Sequence, residues 1–339
     1  PVYNLGRAFW AAPATGWYCF ARTPAASPPR PIVLTGPTGW IGRALLAMLH
    51  GAGDADALGA GQQIRLFGSR AGAIEVAGGP ELPIRELSTI TPADVADAHV
   101  IHLAYLTKDK VAEVGEEAFF RINRAIDDAV LAAISGSHPA SLFVASSGAA
   151  SLQETGRDAH PYGQAKLEQE ARFLEWAKAA GVPALCGRIF NIAGPHINKL
   201  DAYAVSNFTV QALDKGEIAI AATLPVFRSF LHVDDLCRII LRAGRSGLGL
   251  PRPVDLCGAE IVEMSAIARA VADEIGGAVA ISRPPVDFAK RSDYLGTPQE
   301  TCTLAMRLGI ELAGLHAQVR DTVSWIRGMT GSLHAGRPA

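Results

Sequence analysis

From Ile32 onward, short apolar runs alternate with longer stretches in which apolar residues return every three or four positions. Ile32–Thr35, Ile64–Phe67, Val100–Leu103, Ser141–Ala145 and Ala184–Ile189 read as strands, because runs this short and this apolar suit strands buried on both faces. Between and after them, Ile41–His50, Gly115–Ser135 and Pro161–Ala180 have helical periodicity. Alternation of this kind predicts an α/β fold, a doubly wound parallel sheet covered by helices on both faces. Ligands of such sheets sit at the carboxyl ends of the strands. After Asn191 the spacing loosens into helices near Ala202–Leu213, Asp235–Ala243, Met264–Ile275 and Ala317–Ile326, with a strand near Ile218–Ala221, which predicts a smaller C-terminal lobe.

The first strand stops at Gly36-Pro37-Thr38-Gly39-Trp40-Ile41-Gly42. Gly36 permits a tight turn, Gly39 lets backbone approach a pyrophosphate, and Gly42 lets the next helix sit close to the strand. Thr38, Gly39, Trp40, Ile41 and Gly42 open that helix, whose unpaired N–H groups and positive dipole end favour an anion. The turn therefore reads as a dinucleotide cradle of a Rossmann-type fold, spaced G-x-x-G-x-x-G instead of the commoner G-x-G-x-x-G. Glycine is abundant here, at 34 residues, so the triplet gains weight only from Tyr162 and Lys166 further along the chain. The expected division is an extension over 1–30, a dinucleotide-binding part over 31–190, and a mainly substrate-binding lobe over 191–330 from which strands can return to the sheet.

The second strand bears on which dinucleotide is bound. It ends Leu66-Phe67-Gly68-Ser69-Arg70, without the acidic residue that accepts hydrogen bonds from the ribose hydroxyls of NAD. Ser69 can donate a hydrogen bond to a 2′-phosphate and Arg70 a charge-assisted one, so NADP(H) is favoured over NAD(H). Taken alone, Arg70 would be a solvated loop charge.

Composition narrows the class of protein. A net charge of −2 over 339 residues offers no footprint for nucleic acid or anionic membrane. The five cysteines, Cys19, Cys186, Cys237, Cys257 and Cys302, are scattered and nowhere in C-x-x-C spacing. They read as reduced thiols of a cytoplasmic protein, with no disulfide framework and no metal site. Arg7 followed by the uncharged Ala8–Ala21 faintly resembles a signal peptide, but Pro13 and Gly16 break its middle, and the expectation is against secretion. The chain opens on Pro1 instead of Met, which fits a fragment or a processed product, and Pro24–Pro31 reads as a stiff leader.

The candidate chemistry lies at Ser147, Tyr162 and Lys166. Tyr162 and Lys166 are spaced i, i+4 on a predicted helix and share a face, while Ser147 follows the apolar strand at its carboxyl end. A free tyrosine ionises near pH 10 and becomes a useful acid or base only beside a positive charge, here the Lys166 ammonium and an oxidised nicotinamide. Ser147 would hold the carbonyl or hydroxyl of the substrate while Tyr162 exchanges its proton. A surface tyrosine with a lysine one turn later is the bland alternative. The glycine turn and the Ser146-Ser147 strand end weigh against it.

With these residues in place the chain resembles the extended short-chain dehydrogenase/reductases, in particular the NAD(P)-dependent sugar-nucleotide epimerase/dehydratase family. The resemblance spans Ile32 to Ile326. It rests on the glycine turn, His102-Leu103-Ala104, Asn123, Ser146-Ser147, Tyr162-x-x-x-Lys166, Arg188-Ile189-Phe190-Asn191-Ile192-Ala193-Gly194-Pro195 and Arg228-Ser229-Phe230-Leu231-His232-Val233-Asp234-Asp235. It implies cofactor contacts at Leu103 and Ala104, and contacts of Asn191 and Arg228 with the diphosphate of a sugar nucleotide. Arg291 is the candidate for a second arginine there, since a diphosphate calls for planar cationic forks. Read as plain structure, Arg228 would form a salt bridge, Asp234 and Asp235 would cap the helix ahead of Leu236, and His232 would pack between the lobes. The same plain reading makes Gly194 and Pro195 a turn and leaves His102 at a strand end without a chemical role.

Departures from the family pattern narrow the reaction. Sugar-nucleotide 4,6-dehydratases usually carry Thr-Asp-Glu where this chain has Ser147-Gly148-Ala149, so elimination of water would lack its acid and base. The segment Ser151–His160 is also shorter than many relatives have before the tyrosine. NADP(H) preference suits an enzyme that consumes NADPH, so the leading expectation is reduction of a 4-keto sugar nucleotide with Tyr162 as proton donor. C4 epimerisation is the alternative, and a non-catalytic NADP-binding regulatory protein is the alternative of another class. The expected partner is a small-molecule sugar nucleotide, with a second copy of the chain as a possible homodimer partner.

Overall fold

The computed structural model describes residues 29–51, 56–59 and 61–335. Nearly all of the 1–30 extension, the signal-like run and Cys19 lie outside the described residues. In chain order the strands are β1 (Ile32–Thr35), β2 (Ile64–Gly68), β3 (Gly72–Glu75), β4 (Glu81–Glu86), β5 (His99–His102), β6 (Ser141–Ser147), β7 (Ala184–Ile189), β8 (Asn191–Ala193), β9 (Glu217–Ala219), β10 (Val226–Arg228), β11 (Phe230–His232), β12 (Val254–Leu256), β13 (Val262–Glu263), β14 (Ala280–Ser282) and β15 (Ser292–Tyr294). The helices are α1 (Trp40–His50), α2 (Pro92–Val95), α3 (Lys110–Val114), α4 (Glu116–Ser135), α5 (Gly148–Glu154), α6 (Pro161–Ala180), α7 (Ala204–Lys215), α8 (Val233–Ser246), α9 (Met264–Ile275), α10 (Pro298–Arg307) and α11 (Leu315–Ala335).

The main sheet runs β12-β7-β6-β5-β1-β2-β4-β3, parallel throughout except for β3, which pairs antiparallel with β4 at one edge. β1 pairs with β2 on one side and β5 on the other, so strand order reverses at β1 and a crevice opens beyond its carboxyl end. β1, β5 and β7 are buried along their whole length, as the uninterrupted apolar runs predict. Two apolar layers cover the faces. Leu45, Leu49, Leu236 and Ile240 of α1 and α8 pack on one; Val130, Ile134 and Phe173 of α4 and α6 pack on the other. A third core, from Phe208, Ile267, Val271 and Val323, holds α7, α9 and α11 together beneath the short strands of the lobe. No helix among the described residues is long and apolar enough to cross a membrane.

Local chemistry sets the ends of the elements that matter for the site. Pro161 begins α6 with its fixed φ, His160 caps it by accepting the Tyr162 N–H, and Gly181 ends it in the left-handed conformation. Tyr162 is thereby held in the first turn. β6 runs on past Ala145, because Ser146 and Ser147 still pair with Arg188 and Ile189 of β7. The expected loop before Tyr162 is in part a helix, α5, which Ser147 caps by accepting the Ala149 N–H. Sequence reading leaves out β3 and β4, whose charged, half-exposed residues belong to a sheet edge and lack the apolar signal of the central strands.

Candidate active site

The glycine turn begins where β1 ends. Gly36 has φ of 72°, and a Cβ on it would lie 2.9 Å from the Ala104 nitrogen, so the turn and the backbone after β5 touch at the crevice. Thr35 seals this junction, its hydroxyl accepting from the Leu103 and Ala104 N–H groups at 3.1 Å each. Gly42 lies against the turn itself instead of the strand, since a Cβ there would come within 2.6 Å of the Gly36 carbonyl oxygen and 2.7 Å of that of Pro37. At Gly39 a Cβ would meet only that Gly36 oxygen, at 3.5 Å, and among the described residues no side chain caps α1. The first turn of α1 therefore offers backbone N–H groups over open space, which fits the pyrophosphate of a dinucleotide. Ser69 and Arg70 follow β2, both exposed at the same end of the sheet.

Ser147, Tyr162 and Lys166 come together at the carboxyl end of β6. Ser147 is buried, and a hydrogen bond with it favours the ionised form of the Tyr162 phenol. Burial acts against that bond and is stronger, so Tyr162 stands well above the ordinary value for a tyrosine. Lys166 is 3 % exposed, and burial pulls its amine down to about 8. Its Nζ donates to the Ala145 carbonyl at 2.8 Å and to Gln169 Oε1 at 2.9 Å, lies 3.5 Å from the centroid of the Tyr105 ring, and is 5.9 Å from that of Tyr162. The ammonium thus sits beneath both rings, but the net effect at Tyr162 is the rise caused by burial, not the lowering expected from Lys166.

The lobe adds a residue that sequence reading missed. Tyr294, on β15, brings its hydroxyl to 3.5 Å from Ser147 Oγ, so phenols from two parts of the chain meet at one serine. Its ring packs on Phe190 at 5.1 Å, and the Arg228 guanidinium lies 6.0 Å from its centroid. No signal along the chain marks Tyr294, since 147 residues separate it from Ser147. Asn191 donates to the Ser229 and Tyr294 carbonyls at 3.4 Å each. Arg228 donates to the Phe227 and Ser292 carbonyls at 2.8 and 3.2 Å, and burial lowers its affinity for a proton. Among the described residues it forms no salt bridge there, contrary to the plain structural expectation. Arg291 is 71 % exposed and pairs with Asp293 at 2.9 Å.

Other expected residues have structural partners. His232, not Asp234 or Asp235, caps α8: its Nδ1 accepts the Asp234 N–H, and its Nε2 meets Asp321 of α11 at 3.2 Å. Asp235 accepts the Ala313 N–H instead. Arg188 and Glu170 form a buried bidentate pair at 2.9 and 2.8 Å, tying β7 to α6. Gly194 occupies φ of 127°, consistent with the expected turn. His102 links Thr35 to Asp127 of α4. The Asn123 side chain accepts from the Leu106 N–H, while its own Nδ2 is buried without a partner among the described residues. Cys186, Cys237, Cys257 and Cys302 are free thiols.

Residues 32–254, well over half of the chain, match the family described as the NAD dependent epimerase/dehydratase family. The chain belongs to this family. As an NAD dependent epimerase/dehydratase family member it carries the expected Rossmann-type architecture, and the family's cofactor is a pyridine nucleotide. A curated relative, UDP-glucuronic acid decarboxylase 1 of Xenopus tropicalis, is 28 % identical over 121 residues, which cover 36 % of this chain and 28 % of the relative. The match thus spans little more than a quarter of that relative's length. Among solved structures, UDP-N-acetylglucosamine 4-epimerase of Methanobrevibacter ruminantium M1, in complex with UDP-N-acetylmuramic acid, aligns with a TM-score of 0.68 at 15 % identity, covering 89 % of this chain and 99 % of the other. UDP-glucose 4-epimerase of Thermus thermophilus, in complex with NAD, aligns with a TM-score of 0.64 at 21 % identity, covering 88 % and 99 %. At these identities the likeness is one of fold.

Proposed function

We propose that this family member carries out hydride transfer at a secondary alcohol carbon of a nucleotide-linked sugar, with epimerisation at C4 as the overall reaction. The observation that carries this reading is the convergence of Ser147, Tyr162 and Lys166 at the carboxyl end of β6, beside the glycine turn. A pyridine nucleotide, held by Gly36, Thr38, Gly39, Trp40, Ile41, Gly42, Leu103 and Ala104, supplies the hydride acceptor when bound. Ser147 orients the sugar hydroxyl. Tyr162 takes its proton in one direction and returns it in the other, and the Lys166 ammonium lowers the cost of the phenolate between those steps. Arg228 and Asn191 hold the diphosphate from the lobe. Loss of water is disfavoured by composition, since neither Gly148 nor Ala149 after Ser147 offers a carboxyl group.

A 4-keto sugar-nucleotide reductase is the second reading, supported by the absence of an acid after β2 and the presence of Arg70, which suit NADP(H). Both readings use the same residues, and one experiment separates them. The enzyme is incubated with UDP-glucose or UDP-N-acetylglucosamine, and in parallel with keto sugar nucleotides and either NADPH or NADH. Formation of a C4 epimer without net change in reduced nucleotide supports the epimerase, and net NADPH consumption supports the reductase. In either case Tyr162→Phe should lower turnover by about 10² to 10⁴ while nucleotide binding persists. Near-normal turnover in Tyr162→Phe would rule out the assigned acid/base.

A further inference from the structure

A buried polar chain runs from the glycine turn to Lys166, and its hydrogen bonds have a direction. Thr35 Oγ1 already accepts two backbone N–H groups, so its own hydrogen goes to His102 Nδ1, 2.8 Å away. His102 then carries its hydrogen on Nε2 and donates it to Asp127 Oδ1 at 3.1 Å. A carboxylate only accepts, so Gln169 turns its amide nitrogen to the same Oδ1 at 2.7 Å and its amide oxygen to Lys166 Nζ at 2.9 Å. Thr35, His102, Asp127 and Gln169 are each no more than 3 % exposed.

Among the described residues this buried carboxylate makes no direct contact with an ammonium. Of the groups facing it, His102 is neutral by the hydrogen-bond argument, Tyr105 is a phenol, and the Arg172 guanidinium of α6 forms a long ion pair with Oδ2 at 4.0 Å. A guanidinium at that distance compensates a buried carboxylate only in part. Lys166, one amide away, has the complementary need: Tyr105, Tyr162, Glu170 and Cys186 surround it, and the acceptors within bonding distance are the neutral oxygens of Ala145 and Gln169.

We propose that Asp127 is a positioning residue for Lys166: through Gln169 it forms an amide-bridged ion pair that keeps the Lys166 amine protonated and fixed beneath Tyr162. The chemical use of that ammonium rests on the acid/base reading of Tyr162, but the pairing itself can be measured without substrate or cofactor. Sequence inspection does not reveal it, because Asp127, His102 and Gln169 lie on three separate elements. The Coulombic attraction of Asp127 favours the charged amine, against the burial that disfavours it.

The test is the titration of Lys166 by NMR of the full chain carrying isotope-labelled lysine, its signal assigned by loss in Lys166→Met. In wild type the midpoint should lie near 8. In Asp127→Asn, which preserves shape, it should fall by about one pH unit. Gln169→Leu should lower it in the same direction, and Asp127→Glu should restore part of the shift. Thermal unfolding of each variant establishes that it is folded. A folded Asp127→Asn with the wild-type midpoint would overturn the pairing, because a merely structural role for Asp127 leaves the amine's titration alone. Failure of the acid/base reading shows elsewhere, as turnover retained in Tyr162→Phe.

Discussion

Lys166 carries its amine where charge is penalised, and that gives stability a pH dependence. The folded-state value near 8 lies below the ordinary 10.5 of a lysine. Below pH 8 both folded and unfolded chains hold the proton, and the folded state bears the full cost of burying the charge. Between 8 and 10.5 the folded chain releases the proton while the unfolded chain keeps it, so this group makes stability rise with pH. Lys166→Met removes the group. Relative to the variant, wild type should therefore gain up to about 3 kcal/mol of stability as pH rises from 8 to 10.5, whichever of the two is more stable at pH 7. Unfolding midpoints measured across that range check it, and a difference independent of pH would contradict the burial argument. At this scale Tyr162 and Lys166 were legible because their i, i+4 spacing is local. Tyr294 and Asp127 were not, because they reach Ser147 and Lys166 from other elements.

The glycines that open α1 have separable tasks, which the sequence motif does not distinguish. At Gly42 an added Cβ would press on two carbonyl oxygens of the turn, at 2.6 and 2.7 Å, where backbone and not a flexible side chain must yield. Alanine is the better helix former by about 1 kcal/mol, but overpacking costs about 1 to 3 kcal/mol, and the clash should win. Gly42→Ala is therefore expected to lower the urea midpoint. Gly39, with negative φ and a single contact at 3.5 Å, should accept alanine with stability within about 0.5 kcal/mol of wild type while losing nucleotide affinity, read by calorimetric titration. Equal effects of the two substitutions on stability would refute this division. Central strands and long helices were readable because burial on both faces or one stripe leaves a period in the sequence. The edge strands β3 and β4 were not, since Glu81, Arg85 and Glu86 face water there. α5 was missed as well, because it is short and its start depends on the Ser147 cap.

Across the whole molecule, the glycine turn and Arg228 belong to different sheets, β1 in the eight-stranded one and β10 in a three-stranded one. Nucleotide cofactor and substrate diphosphate should accordingly be separable by mutation. Arg228→Ala is expected to raise the KM for a sugar nucleotide roughly tenfold to a hundredfold, from about 1.5 to 3 kcal/mol of lost charge-assisted contact, with cofactor affinity unchanged. An equal loss for a free sugar lacking the nucleotide would show that Arg228 does not grip a diphosphate. By itself the sequence determined the alternation of strand and helix, the glycine turn at Gly36 to Gly42, and the Tyr162–Lys166 pair, because each depends on neighbours a few residues apart. Only the tertiary structure decided that Tyr294 meets Ser147, that Arg291 turns outward to Asp293, and that Asp127 faces Lys166 through Gln169. Those contacts join residues far apart in the chain, and their geometry follows from sheet order and helix packing, which no local pattern encodes.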